Sequence, residues 1–219
     1  MANVFITGVN RGVGLALATV YAQRGDRVIG AARDRTFDGG GVCERVIPLD
    51  VTSEADLQAL ETTMGGESID VLIHNAGILQ PNTLEELDLD SIRQQFEVNA
   101  LGPLRVTAAL RSFLPAGAKV CVVSSRMGSV ADNTSGGHYG YRMSKSAANM
   151  VGKSLSADLR PSGISVRVLH PGFVKTGMTG FRGNWGPADA ASALVQRIDE
   201  CTLDSSGEFW HAEGHPLPW

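Results

Sequence analysis

Six short runs rich in β-branched residues recur along the chain, and segments of helical period lie between most of them. VFIT, beginning at Val4, leads into Val13 to Arg24; RVIGAA and RVIPLD come next, followed by Glu54 to Met64. DVLIHN precedes Ser91 to Leu114, KVCVVSS precedes Tyr139 to Leu159, and SVRVLHP closes the series. Strands separated by helices cannot pair as tight hairpins, so they are expected to run parallel in one sheet covered by helices on both faces, a doubly wound α/β fold. GEFWHAEG reads as a short edge strand and brings the expected sheet to about seven strands. No repeat and no linker divides the pattern, and 219 residues with 43% hydrophobic content suit one well-cored domain spanning residues 1–219.

Composition removes several classes of function. The formal net charge is -4 and the 15 Arg and 4 Lys are scattered, so there is no basic field for nucleic acid. No apolar run approaches the roughly 18 residues that cross a bilayer, and MANVFITG enters a strand pattern without a basic leader, so a cytoplasmic protein with no membrane partner is expected. Cys43, Cys121 and Cys201 are odd in number and far apart, which suits reduced structural thiols rather than a disulfide framework. His211 and His215 would face one another on a helix, but GEFWHAEGH reads as strand and turn, so no metal site is expected.

Two local motifs carry chemistry. In TGVNRGVG, Gly8, Gly12 and Gly14 follow an apolar strand and open a helix. Glycine permits a tight turn and close backbone approach, so a pyrophosphate can lie against the amides at the helix N-terminus, where the dipole favours anions. Further on, Tyr141 and Lys145 stand four apart in YGYRMSKSAANM, on one face of an expected helix. An ammonium there can favour ionisation of a neighbouring phenol. Either motif alone is common; a Tyr-x-x-x-Lys pair is usually part of a solvated helix face.

TGVNRGVG resembles the T-G-x-x-x-G-x-G turn of the short-chain dehydrogenases/reductases, and further matches follow in order. The resemblance implies a Rossmann-type fold and a nicotinamide dinucleotide held by Gly8, Asn10, Arg11, Gly12, Val13 and Gly14. Asp50 and Val51 resemble the pair that contacts adenine, and Asn75, Ala76 and Gly77 match the N-A-G motif, preceded by His74 where Asn is usual. PGFVKT resembles the segment that meets the nicotinamide, implying contacts from Pro171, Gly172, Val174 and Thr176. Two readings of the second strand compete. Asp34, twenty residues after Gly14, would favour NAD(H) through the ribose 2′-hydroxyl, whereas Ala32 and Arg33, with Arg11 nearby, would favour NADP(H) by pairing a 2′-phosphate. NADP(H) is the expected cofactor.

The same resemblance implies a catalytic tetrad of Asn99, Ser125, Tyr141 and Lys145. Tyr141 would exchange a proton with the substrate oxygen, its acidity raised by Lys145 and by the oxidised cofactor. Ser125 would hydrogen-bond that oxygen, and Asn99 would kink the helix and hold a water linking Lys145 to solvent. Ser125 precedes Tyr141 by sixteen residues, three more than is usual in the family, and Ser129 is the alternative. Gly177 to Gly186, a short glycine-punctuated lid, is the expected mobile segment, with Met178, Phe181 and Trp185 as apolar cover. SSRMGSVADNTSGGHYGYRMSKSAANM and SGEFWHAEGHPLPW are similar to the C-factor-like and sniffer-like carbonyl reductases. They imply NADPH-dependent reduction of a small ketone or aldehyde, with a C-factor-like signalling or redox-sensing role as the alternative. Relatives pair through their long helices, which implies a homodimer or homotetramer.

Overall fold

A computed structural model describes all 219 residues. Seven strands form one sheet: β1 (Asn3–Thr7), β2 (Arg27–Ala32), β3 (Arg45–Pro48), β4 (Val71–His74), β5 (Lys119–Val123), β6 (Ser165–His170) and β7 (Glu208–His211). Their order is β3-β2-β1-β4-β5-β6-β7, and every neighbouring pair is parallel. The chain winds outward from β1 to β3 and returns beside β1 with β4, so the strand order reverses between these two. In such sheets the crevice beyond the C-terminal strand ends at the reversal is where ligands bind.

The period-two pattern of the strands sorts the core into two faces. Val4, Ile6, Val28, Ile73, Cys121 and Leu169 pack under α1 (Gly12–Gln23) and α6 (Pro187–Asp199). Phe5, Ile29, Leu72, Val120 and Val166 face the opposite layer of α2 (Glu54–Met64), α4 (Gly102–Leu110) and α5 (Tyr139–Leu159). Burial on both faces explains why these strands read as continuous apolar runs rather than as alternating ones. α2 starts where Ser53 accepts a hydrogen bond from the Asp56 N–H at 3.2 Å and stops at Gly65 in a left-handed conformation.

One expected helix is not continuous. The stretch read as Ser91 to Leu114 consists of α3 (Leu89–Phe96), a π-helical turn over Glu97–Leu101, α4, and a 3₁₀ turn over Arg111–Phe113. Asp88 caps its start, accepting from the Asp90 and Ser91 N–H groups. Asn99 lies inside the π turn, so the polar residue on an apolar stripe coincides with a local change of helical winding. The expected edge strand is β7, and no helix is long and apolar enough to cross a membrane.

Candidate active site

A cleft of about 600 Å³ opens at the reversal of strand order. Its floor is the turn between β1 and α1. Gly8 has φ +69°, and a Cβ there would come within 2.8 Å of Ala76 Cα. A Cβ on Gly14 would approach Gly8 O to 2.2 Å, so the first turn of α1 can lie against the end of β1 only with glycine there. The Asn75 amide ties the turn to β4 by donating to Thr7 O at 3.1 Å and Gly8 O at 3.0 Å. The Thr7 hydroxyl accepts from the Asn75 and Ala76 N–H groups, both at 3.1 Å. α1 begins without an acidic residue in its first turn and without a side-chain cap, which leaves its N-terminus open to an anion. These residues fit a dinucleotide pyrophosphate.

Gly8, Asn10, Arg11, Gly12, Val13, Arg33, Asp50, Val51, Asn75, Ala76, Gly77, Tyr141, Lys145, Pro171 and Thr176 all line the cleft. Gly14, Asn99, Ser125, Gly172 and Val174 do not. Gly14 is packed beneath the turn, and Val174 is buried and paired with Trp185 by a parallel bridge. Ala32 lines the cleft as well, and motif reasoning missed Leu49, Ile78, Val98 and Lys175, which also face it. Leu49 was within reach, because it continues β3 directly into Asp50.

The second-strand residues divide the work of charge. Asp34 turns on its own loop, accepting from the Thr36 N–H at 2.9 Å and hydroxyl at 2.6 Å, which holds its carboxyl below the usual range. Arg33 and Arg11 are exposed at the cleft, and neither makes an ion pair.

On the other wall, α5 presents Tyr141 and Lys145 one turn apart, both buried. Lys145 Nζ donates to Val123 O at 2.9 Å and lies 5.8 Å from the centre of the Tyr141 ring. Burial pushes the Tyr141 phenol up to about 12, opposed by the neighbouring Ser125 side chain, and pushes the Lys145 ammonium down to about 8. In the protein alone the phenol therefore lies above its usual value, whereas the expected lowering by Lys145 together with the oxidised cofactor concerns the cofactor-bound state. Loss of water around each group is the main cause of both shifts, and near neutrality the phenol keeps its proton.

Ser125 and Ser129 are separated by their partners. Ser129 Oγ donates to Trp219 O at 3.2 Å and accepts from the Asp132 N–H at 3.1 Å, so it anchors the loop to the tail. Ser125 caps a 3₁₀ turn over Arg126–Gly128, accepting from the Met127 N–H, and is the serine beside Tyr141. Asn99 stands behind them, 1% exposed, with Oδ1 accepting from the Ile78 N–H at 2.9 Å. Its Nδ2 donates to Ile78 O at 2.8 Å and Ser144 Oγ at 3.0 Å. His74 donates to or accepts from Thr107 Oγ1 at 2.8 Å inside the fold, and burial pushes it down to about 3.

The lid is more tightly tied than its glycines suggest. Asn184 N–H donates to Phe173 O at 2.8 Å, Lys175 N–H to Trp185 O at 3.0 Å, and Phe181 N–H to Thr176 O at 2.8 Å. Met178 and Phe181 face the cleft, whereas Trp185 does not. His211, Glu213 and His215 gather with ligand atoms within 4.8 Å of one another, at the end of β7 and in the turn that follows it. The two rings stack in parallel, and His211 Nδ1 already accepts the Glu213 N–H at 3.0 Å.

A family model described as short chain dehydrogenase matches residues 2–186. The chain belongs to the short-chain dehydrogenase/reductase family of enzymes. Among curated proteins it is 41% identical to 1-hydroxy-2-glutathionyl-2-methyl-3-butene dehydrogenase of Rhodococcus sp. (strain AD45), with each chain covered in full. It is 42% identical over 166 residues to C-signal of Myxococcus xanthus, covering 74% of this chain and 100% of that protein. Among solved structures, the NADPH-bound carbonyl reductase from chicken fatty liver superposes with a TM-score of 0.91 at 26% identity, covering 100% of this chain and 99% of the other.

Proposed function

We propose that the protein is an NADPH-dependent carbonyl reductase that converts a ketone or aldehyde to an alcohol. The observation that carries this reading is the meeting, in one cleft, of the glycine turn with the Tyr141 and Lys145 wall, beside which Ser125 sits. Bound reduced nicotinamide would supply the hydride. Tyr141, whose phenol is protonated near neutrality, donates its proton to the carbonyl oxygen. Ser125 hydrogen-bonds the same oxygen and stabilises the charge that develops there. Lys145, buried and held by Val123 O, keeps a positive charge beside the phenol and within reach of the cofactor ribose. Asn99 stiffens the wall from behind. In the reverse direction Tyr141 would have to lose its proton first, so alcohol oxidation should gain with rising pH.

Arg11 and Arg33 pair the 2′-phosphate of NADP(H), because both face the cleft without an acidic partner, while Asp34, which lines the cleft beside them, is already engaged by Thr36. The NADPH in the chicken carbonyl reductase supports this choice. The similarity to C-signal favours a second reading, a signalling or redox-sensing protein that binds NAD(P)H with little turnover. Two copies would pair through α4 and α5, on which Leu104, Met143 and Met150 are exposed; light scattering at the mass of one chain would exclude this.

Cofactor consumption with NADPH and with NADH, over aldehydes, diketones and quinones, decides between the two readings. The reductase reading expects turnover with NADPH well above that with NADH. Tight NADPH binding with no turnover across the panel would favour the sensor.

A further inference from the structure

We infer that Asn149 is a positioning residue for Ser125 and forms, with Tyr141 and Lys145, a third member of one working stripe on α5. The inference rests on the reductase reading, since it concerns how that reading's serine is held. Residues 141, 145 and 149 are successive steps of four along a single helix, so their side chains follow one face. Asn149 is 3% exposed, and both ends of its amide are engaged. Oδ1 accepts from Ser124 Oγ at 2.5 Å, and Nδ2 donates to Gly128 O at 3.2 Å. One side chain therefore grips the strand end immediately before Ser125 and the 3₁₀ turn immediately after it.

The surroundings show that this grip is close. The Ser124 hydroxyl also reaches Lys145 O at 3.4 Å, and Ser146 Oγ donates to Gly128 O at 2.8 Å. A Cβ on Gly128 would stand 2.7 Å from Lys145 C and 2.9 Å from Lys145 Cβ, so the turn rests directly on the helix backbone. The Ser125 side chain makes only the local bond to the Met127 N–H and the contact with Tyr141, and its carbonyl accepts from the Gly128 N–H within the same turn. Its place relative to the phenol is set by its two flanks, and Asn149 is the side chain that holds both. The same arrangement explains how a loop three residues longer than usual in the family leaves Ser125 beside Tyr141. The bracket closes at Gly128, and the largely exposed stretch from Val130 to Gly137 lies outside it.

The prediction concerns turnover rather than binding, because misplacing a reacting group by about 1 Å can lower a rate about a hundredfold. Asn149→Ala, Ser124→Ala and the double variant are compared with the parent for kcat, KM and NADPH dissociation constant on one carbonyl substrate. Each single variant should lose about ten- to a hundredfold in kcat, with KM and NADPH affinity within about threefold. The double variant should lose no more than the worse single one, as expected of two residues acting as a unit. Ser124→Thr, which keeps the hydroxyl, should restore most of kcat. Parental kcat in both alanine variants would overturn the inference, as would losses that are additive, or that Ser124→Thr does not relieve. Thermal midpoints measured alongside separate a loss of fold from a loss of position. Tyr141→Phe is the control for the underlying reading. If it retains parental turnover, the chemistry assigned to the site fails; if it is inactive while Asn149→Ala is not, only the bracket fails.

Discussion

The two walls of the cleft are built by different means. On the β1 side the geometry comes from backbone: Gly8 and Gly14 leave no room for a Cβ, and the Asn75 and Thr7 side chains bond main-chain groups only. On the β5 side the geometry comes from side chains distant in sequence, with Asn149 reaching back to Ser124 and Gly128, and Ser129 meeting Trp219 O ninety positions on. The first wall suits a ligand part that does not vary, a pyrophosphate. The second wall can be altered by substitution in loop and tail while the strand and helix remain, and it is there that substrate choice can change.

Paired glycine substitutions would break this comparison most sharply. Gly14→Ala drives a Cβ into Gly8 O, so NADPH binding should fall by more than about tenfold, read by titration of cofactor fluorescence. Gly128→Ala drives a Cβ into the Lys145 backbone, and it should weaken NADPH binding less than Gly14→Ala does while lowering kcat more than KM. Equal losses of binding in both variants would mean that the walls are not separable. An effect confined to one cofactor is expected at the mouth. Arg33→Ala removes a charged hydrogen-bond donor worth about 1.5–3 kcal/mol, so KM for NADPH should rise about ten- to a hundredfold while KM for NADH stays near its parental value.

The smallest expected effect concerns acid stability. His74 is held at about 3 by burial, below its usual value near 6.5, so the unfolded chain takes up a proton that the folded one refuses. Its contribution is complete above about pH 6.5 and is lost as pH falls toward 3. His74→Asn, at the end of β4, should flatten that part of the unfolding profile without changing turnover at pH 7. An unchanged profile would show that His74 does not carry the acid sensitivity; His170, also held at about 3, would then be the next residue to test.

The difference between the walls also explains what the amino-acid sequence revealed. The strand and helix alternation specified the parallel sheet, and the limits of β2, α2 and α5 follow from runs and caps that are local in the chain. The glycine turn, Asn75 and the Tyr141 and Lys145 pair were legible for the same reason, since their spacing is their geometry. The helix from Ser91 was not legible in detail, because a π turn at Asn99 is set by its partners Ile78 and Ser144 rather than by propensity. Nor could spacing choose between Ser125 and Ser129, a choice that depends on where Trp219 lies. The upward shift of the Tyr141 phenol comes from burial, which no local pattern supplies. Asn149 is marked in the sequence by its repeat of the step of four that joins Tyr141 to Lys145.

The central claim is that Tyr141 supplies the proton in carbonyl reduction within a cleft that binds NADPH without it. Single-turnover oxidation of NADPH with a diketone, measured for the parent and for Tyr141→Phe together with the cofactor dissociation constant, tests this directly. The account predicts a rate lowered by about 10²–10⁴-fold with cofactor affinity within about threefold of the parent. Reduction by Tyr141→Phe at the parental rate would contradict it.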